Sequence, residues 1–224
     1  MSDIPHGPGI RLSLADLRVT YARETLSEAD ASPDPLVQFK HWFQQAVEAQ
    51  IIEPNAMTLA TVSLAGLPSA RIVLLKEVEG RDFVFYTNYE SRKGQELAAN
   101  PHAALIFYWA ELERQVRIEG GVEKVSRAQS EDYFDKRPRG SQLGAWVSGQ
   151  SQVVQSKAEL ERKLADLEAC YRSSERVPAP GFWGGFRVKP VRIEFWQGRP
   201  DRLHDRLQYS LREDGSWRID RLSP

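Results

Sequence analysis

The chain switches between two apolar periods, and the switches divide it into blocks. Between 34 and 50, Leu36, Phe39, Trp42, Phe43, Ala46 and Val47 recur at the spacing of one helix face. Asp34 and Pro35 suit the cap and first turn of that helix. The period then drops to two. Segments 57–63, 69–75, 83–87, 103–109 and 115–125 are short, rich in β-branched and aromatic residues, and separated by Gly, Pro or Asn; they predict five strands. Residues 65–68 (AGLP) read as the hairpin turn between the first two. Ser91 caps a short helix that stops near Asn100-Pro101, and another helix follows Ser126 until Pro138-Arg139-Gly140 breaks it. A longer amphipathic helix covers about 156–172, and strands return at 191–197, 203–211 and 217–219. This order predicts a mainly β fold: a mostly antiparallel barrel with peripheral helices packed outside it.

Residues 1–17 are expected to form a mobile tail, rich in Pro and Gly at its start and without periodicity, and residues 18–224 a single domain. A chain of 224 residues with 41% apolar positions can bury a core without disulfides or a structural metal. Lys and Arg total 30 against 31 Asp and Glu, so the basic excess of a nucleic-acid binder is missing. Any bound anion is expected to be small and held by a local cluster. No apolar run approaches the ~20 residues of a membrane span. Cys170 is the single cysteine and no secretory pattern opens the chain, so a cytoplasmic location is expected.

Several chemistries are missing. There is no phosphate loop, no G-x-G-x-x-G turn and no nucleophile elbow. His6, His41, His102 and His204 do not pair at metal-ligand spacing, so no metal site is expected. What stands out is a set of basic residues inside β-forming or helix-start segments. Arg71 and Lys76 bracket four apolar residues, and charges on a core strand need an anionic partner unless they mark strand ends in water. Five positions apart, they would face opposite ways on a regular strand; a bulge, or Lys76 lying past the strand end, would bring them together. Ser91, Arg92 and Lys93 open a helix whose free amides suit a phosphate, or else form a capped surface turn. Tyr133, Arg137 and Ser141 recur every four residues, with Pro138 placing Arg137 at a junction of two helices. Arg202, His204 and Arg206 would share one face if 203–211 is a strand; the plain alternative is a solvated face.

Ten strings in register carry a resemblance. RIVLLK at 71–76, FYTN at 85–88, SRK at 91–93, ERQVR at 113–117, RPR at 137–139, SQLGAWVSGQS at 141–151, FWGGFRV at 182–188, IEFWQG at 193–198, RLHDR at 202–206 and RLSP at 221–224 keep the order and spacing of one family. From about residue 18 onward the chain resembles the pyridoxine/pyridoxamine 5′-phosphate oxidases.

The resemblance implies an FMN-binding split β-barrel working as a homodimer, with the flavin at the subunit interface. It implies FMN contacts from Arg71, Ile72, Val73, Leu74, Leu75, Lys76, Tyr86, Thr87, Arg92, Lys93, Gln115, Gln150, Ser151, Trp196 and Arg206. It implies that Lys76, Tyr133, Arg137 and Ser141 hold the substrate phosphate. Arg202, Leu203 and His204 would lie at the substrate ring, with Arg202 and His204 the catalytic pair. Arg18 and Tyr21 match a segment that covers the site, although Val19-Thr20 stands where the family often has a basic residue and then an acid. The implied substrates are pyridoxine 5′-phosphate, pyridoxamine 5′-phosphate and O2, with no nucleic acid and no membrane. The product is pyridoxal 5′-phosphate, with peroxide and, from the amine, ammonia. The alternatives are a split-barrel flavoenzyme for another ring system and a non-catalytic carrier of FMN or pyridoxal phosphate.

Overall fold

The computed structural model describes residue 21 and residues 24–224. The expected tail and Arg18 lie outside the described residues. Helix α1 (Pro35–Glu48) starts where Asp34 accepts the Leu36 amide, with Pro35 in the first turn. It buries Leu36, Phe39, Trp42 and Ala46 as the spacing predicts, while Val47 stays 45% exposed. It ends earlier than expected, because Gln50 takes a left-handed φ of 56°.

The described strands form one nine-stranded antiparallel sheet: β1 (Ala56–Val62), β2 (Pro68–Leu74), β3 (Glu77–Glu79), β4 (Asp82–Asn88), β5 (His102–Trp109), β6 (Arg114–Lys124), β7 (Trp183–Gln197), β8 (Asp205–Leu211) and β9 (Trp217–Arg221). The order β2-β1-β5-β6-β7-β4-β3 curls into a split barrel, with β8 and β9 added beside β7. Two boundaries correct the expectation. β7 begins at Trp183 rather than 191, and pairs β6 on one edge while its other edge takes β4 over 183–188 and β8 over 192–197. The register shifts at Glu119/Gly120, opposite Pro190, which has no amide for a ladder. A Cβ on Gly120 would run into the Lys189 carbonyl, so the bulge requires glycine there.

The second correction concerns the strand expected from 203. It starts at Asp205, because Pro200 opens a 3-10 turn closed by the Leu203 amide on the Pro200 carbonyl (3.1 Å). Asp201 and Arg202 adopt φ of 55° and 61°. Arg202 therefore leaves the strand, and the alternation that would align Arg202, His204 and Arg206 does not exist. The strained left-handed pair is uncommon for non-glycine residues.

The barrel core lies under α1. Phe39 meets Phe83 and Phe107 edge-on at 5.0 and 5.1 Å, and Trp42 meets Phe195 at 5.2 Å. A smaller core, Phe134, Leu143, Val177 and Trp183, joins α3 (Arg127–Asp135) and α4 (Arg139–Val147) to the start of β7. Helix α2 (Arg92–Ala99) follows β4, and α5 (Lys157–Tyr171) lies on α4 with no residue fully buried, leaving Cys170 exposed.

Candidate active site

A cleft of about 450 Å³ opens between β2 and β4, closed below by α4. From β2 it takes Arg71, Ile72, Val73 and Leu74, and just past the strand end Lys76. The Lys76 amide donates to the Val84 carbonyl at 2.9 Å, tying the chain to β4 as it leaves β2. Lys76 thus reaches the same cleft as Arg71 because it lies beyond the strand. Leu75 is turned away, its side chain packed in the barrel core. Ile72 is 65% exposed at the rim, so this segment is not the fully buried strand its apolar run suggested.

One end of the cleft is a cation cradle. Ser91 accepts the Gly94 amide and starts α2, and a Cβ on Gly94 would collide with the Tyr89 carbonyl. Lys93 is only 8% exposed and donates to the neutral Gln150 Oε1 (2.7 Å) and Ser91 Oγ (3.4 Å). Burial, then Arg71, bring its amine down to about 8. The Arg92 amide donates to Ser151 Oγ at 3.2 Å, and Ser151 holds a left-handed φ of 73°. Thr87 Oγ1 also donates to Gln150 Oε1 (3.2 Å). Arg71, Thr87, Lys93 and Gln150 line the cleft directly.

The other end widens into an adjoining cavity of about 350 Å³ lined by Lys76, Tyr133, Arg137 and Ser141. The helix break predicted at Pro138 is present, with α3 ending at Asp135 and α4 starting at Arg139. Tyr133 stacks on Tyr86 with ring centroids 4.0 Å apart, and Tyr86 on Trp183 at 5.5 Å. Arg137 lies 4.7 Å over the Trp183 ring, and its Nη1 is buried without a hydrogen-bond partner among the described residues. Burial lowers the Arg137 pKa, and burial also pushes the Tyr86 phenol up to about 12, so it stays protonated. A desolvated guanidinium with a bare N–H asks for an anion.

The remaining expected residues do not line these cavities. Gln115, Trp196 and Arg206 sit side by side in register across β6, β7 and β8. Arg206 Nε donates to Glu194 Oε1 (2.8 Å) and its Nη1 to the Ser223 carbonyl (2.7 Å). His204 lies against Trp196 at 4.7 Å, with Tyr21 edge-on to both rings. A Cβ on Gly198 would come within 2.7 Å of Tyr21, so glycine makes room for it. His204 Nδ1 accepts the Arg199 amide at 3.1 Å, which places the neutral ring's proton on Nε2. Burial, then Arg202, lower its pKa and favour that neutral form. Arg202 and Leu203 are exposed beside it.

A model of the pyridoxamine 5′-phosphate oxidase family matches residues 43–171, and one of the pyridoxine 5′-phosphate oxidase C-terminal dimerisation region matches 183–224. The chain belongs to the pyridoxamine 5′-phosphate oxidase family. It is an oxidoreductase, 60% identical to a pyridoxine/pyridoxamine 5′-phosphate oxidase of Cyanothece sp., over 95% of this chain and 99% of the relative. It is 59% identical to that of Burkholderia vietnamiensis, with the same shares covered. Among solved structures it resembles PhzG from Burkholderia lata, in complex with tetrahydrophenazine-1-carboxylic acid, at 29% identity and TM-score 0.83, covering 90% and 98% of the two chains. An FMN-binding protein related to this oxidase family, from Nostoc punctiforme, shares the fold at 15% identity and TM-score 0.69, covering 86% and 100%.

Sequence reasoning did not single out four residues that line the cleft or pair with the expected residues. Trp183 supplies the ring under Arg137; Asn88 lines the cleft and donates to the Ser148 carbonyl (3.3 Å). Glu96 and Glu194 are buried acids, 6% and 2% exposed, that hold the cradle and Arg206 respectively. For Glu194 the signal available was a carboxylate in a strand with apolar neighbours on both sides, as in IEFW; Glu96, between Gln95 and Leu97, carries no such signal. Among the described residues no helix is long and apolar enough to cross a membrane.

Proposed function

We propose that this oxidoreductase is an FMN-dependent oxidase that converts pyridoxine 5′-phosphate or pyridoxamine 5′-phosphate to pyridoxal 5′-phosphate, the last step in making or salvaging that cofactor. The single observation behind this reading is one cleft with two separated cation groups, Arg71 with Lys93 and Lys76 with Arg137. Two phosphate monoesters, one on the flavin and one on the substrate, match that pair. The residues fit the flavin: a buried Lys93 with neutral partners gains an anion, and the cleft volume is in the range of cofactor sites. FMN, when bound, would supply the acceptor for a hydride equivalent from the substrate's 4′ carbon, with O2 as the final oxidant reduced to hydrogen peroxide.

The protein's own part is binding and orientation. Arg71, Arg92, Lys93, Gln150 and Ser151 hold the flavin phosphate. Tyr133, Arg137, Ser141 and Lys76 hold that of the substrate. His204, neutral with its proton on Nε2, donates to the oxygen or amine at the reacting carbon, and the Arg202 fork lies against the ring. Ammonia leaves from the amine substrate after water adds to the oxidised carbon. That Gln115, Trp196, His204 and Arg206 line neither cavity of their own chain, while residues 183–224 match a dimerisation region, supports their serving the cleft of a second copy. Residues 18–224 act as one domain in a cytoplasmic homodimer whose sites lie at the interface, with Tyr21 covering them.

The likeness to PhzG favours a second reading, oxidation of a ring carboxylic acid that carries no phosphate. Anaerobic mixing of the yellow holoprotein with each substrate class separates the two. Bleaching by pyridoxine 5′-phosphate, and peroxide on admitting air, is the expected result. Bleaching by a reduced phenazine carboxylic acid alone would overturn it, and a protein bleached by neither would be a carrier.

A further inference from the structure

We propose that Glu96 is the positioning residue of the phosphate cradle: it fixes Arg71 and Arg92 from behind so that both present to an incoming phosphate. This rests on the cofactor reading above. Glu96 lies one turn inside α2, with its side chain 6% exposed. Its Oε2 accepts from Thr61 Oγ1 (2.5 Å), Ser69 Oγ (2.6 Å) and Arg71 Nη2 (3.3 Å), and its Oε1 from Arg92 Nε (2.8 Å). One carboxylate therefore joins β1, β2 and α2 at the point where two of the cradle's cations originate. Arg71 is held further by the Leu59 carbonyl and the Thr61 and Ser69 hydroxyls. Burial works against this charge, yet the bonds from Ser69, Thr61, Arg92 and Arg71 outweigh it and bring the pKa to about 2. The carboxylate is thus ionised throughout the physiological range.

An acid beside a phosphate site invites the opposite expectation, that it repels the ligand. Charge count argues otherwise. Arg71, Arg92 and Lys93 against Glu96 sum to +2, which a phosphate monoester of about −1.5 to −2 neutralises. Without the acid, Arg92, whose side chain is 61% exposed, has no other side-chain partner among the described residues to stop it swinging into water. The two accounts differ in sign: removing a positioning acid weakens phosphate binding, and removing a repelling one strengthens it.

Apoprotein titrated with FMN and with riboflavin, followed by flavin fluorescence, decides between them, since riboflavin lacks the phosphate. Glu96→Ala should weaken FMN binding by about ten-fold or more and leave riboflavin binding unchanged. Glu96→Gln, which keeps the volume and one accepting oxygen, should recover part of the loss. Inorganic phosphate should raise the apoprotein Tm in wild type and not in Glu96→Ala. Should Glu96→Ala not fold, Glu96→Gln decides alone. FMN binding unchanged or tighter in Glu96→Gln overturns the proposal. Equal losses for FMN and riboflavin overturn it too, because Glu96 would then only support the cleft walls. Wild type binding FMN no better than riboflavin would remove the cradle itself, and this role with it.

Discussion

At the scale of single residues, Lys93 shows how burial converts into a measurable demand. Desolvation first, and Arg71 second, bring its amine from 10.5 to about 8, while an adjacent phosphate dianion would restore it. Above about pH 8 the empty cradle has lost that proton, so ligand binding must take one up. FMN affinity should therefore fall as pH rises from 8 toward 10.5. The apoprotein contribution has the opposite sign: the unfolded chain binds more protons in this window, so stability gains as pH rises through it. FMN titrations across that range should show the fall, and Lys93→Arg should flatten it; a flat wild-type profile refutes the assignment. Arg137 makes the matching case for the substrate. Its unpartnered Nη1 predicts that Arg137→Ala raises the KM for pyridoxine 5′-phosphate about 10–100-fold, the value of a charge-assisted contact. Flavin content should be preserved. Loss of flavin with KM unchanged would mean that this cation serves the other phosphate.

At the scale of elements, the cleft depends on places where a strand stops or slips. Lys76 reaches the cleft because β2 ends at Leu74. β7 changes partners from β4 to β8 near the bulge, where Gly120 faces the Lys189 backbone and Pro190 gives no amide. Gly120→Ala must push one of those strands aside. The expected cost is about 1–3 kcal/mol, as for other overpacked sites. A Tm loss of about 2–4 °C per kcal/mol follows for a chain of this size. Flavin affinity per folded molecule should hold, since the bulge is remote from the cation cradle in the sheet order. Thermal melts with and without FMN check both halves of this expectation; an unchanged Tm would mean the bulge relaxes freely.

For the whole molecule, the division of site residues is the informative fact. The cleft collects Arg71, Lys76, Lys93 and Arg137, while the row Gln115, Trp196 and Arg206 lies elsewhere on the sheet with His204 beside it. If each site draws on both groups from different copies, two defective variants should complement. Lys93→Ala and Arg206→Ala homodimers should each bind flavin poorly. Refolded together, the mixed dimers carry one intact site and one doubly defective site, so tight flavin binding should return in the mixture. No recovery, in a mixture shown by sedimentation to contain dimers, would place both residues in one chain's site.

Much of this was legible in the sequence, for physical reasons that can be named. Local signals sufficed where the information is local: Asp34 and Ser91 as caps, the two-residue alternation of β5 and β6, the break at Pro138 that puts Arg137 on a helix junction. The cation strings also announced themselves, since charges inside apolar segments are costly without an anion. Three things needed the tertiary structure. Alternation along 202–206 looked like a strand face, but the turn opened by Pro200 overrides it, and no period-two pattern can report a backbone held at positive φ. The early start of β7 was hidden because its first half, buried beside two neighbours and glycine-rich, does not alternate. Glu96 reads as an ordinary surface acid, and Glu194, though flanked by apolar residues, shows no partner in the sequence; packing from β1, β2, β6 and β8 turns both into buried partners of the cations. Chain order determined which residues carry charge, and folding decided which of those charges meet.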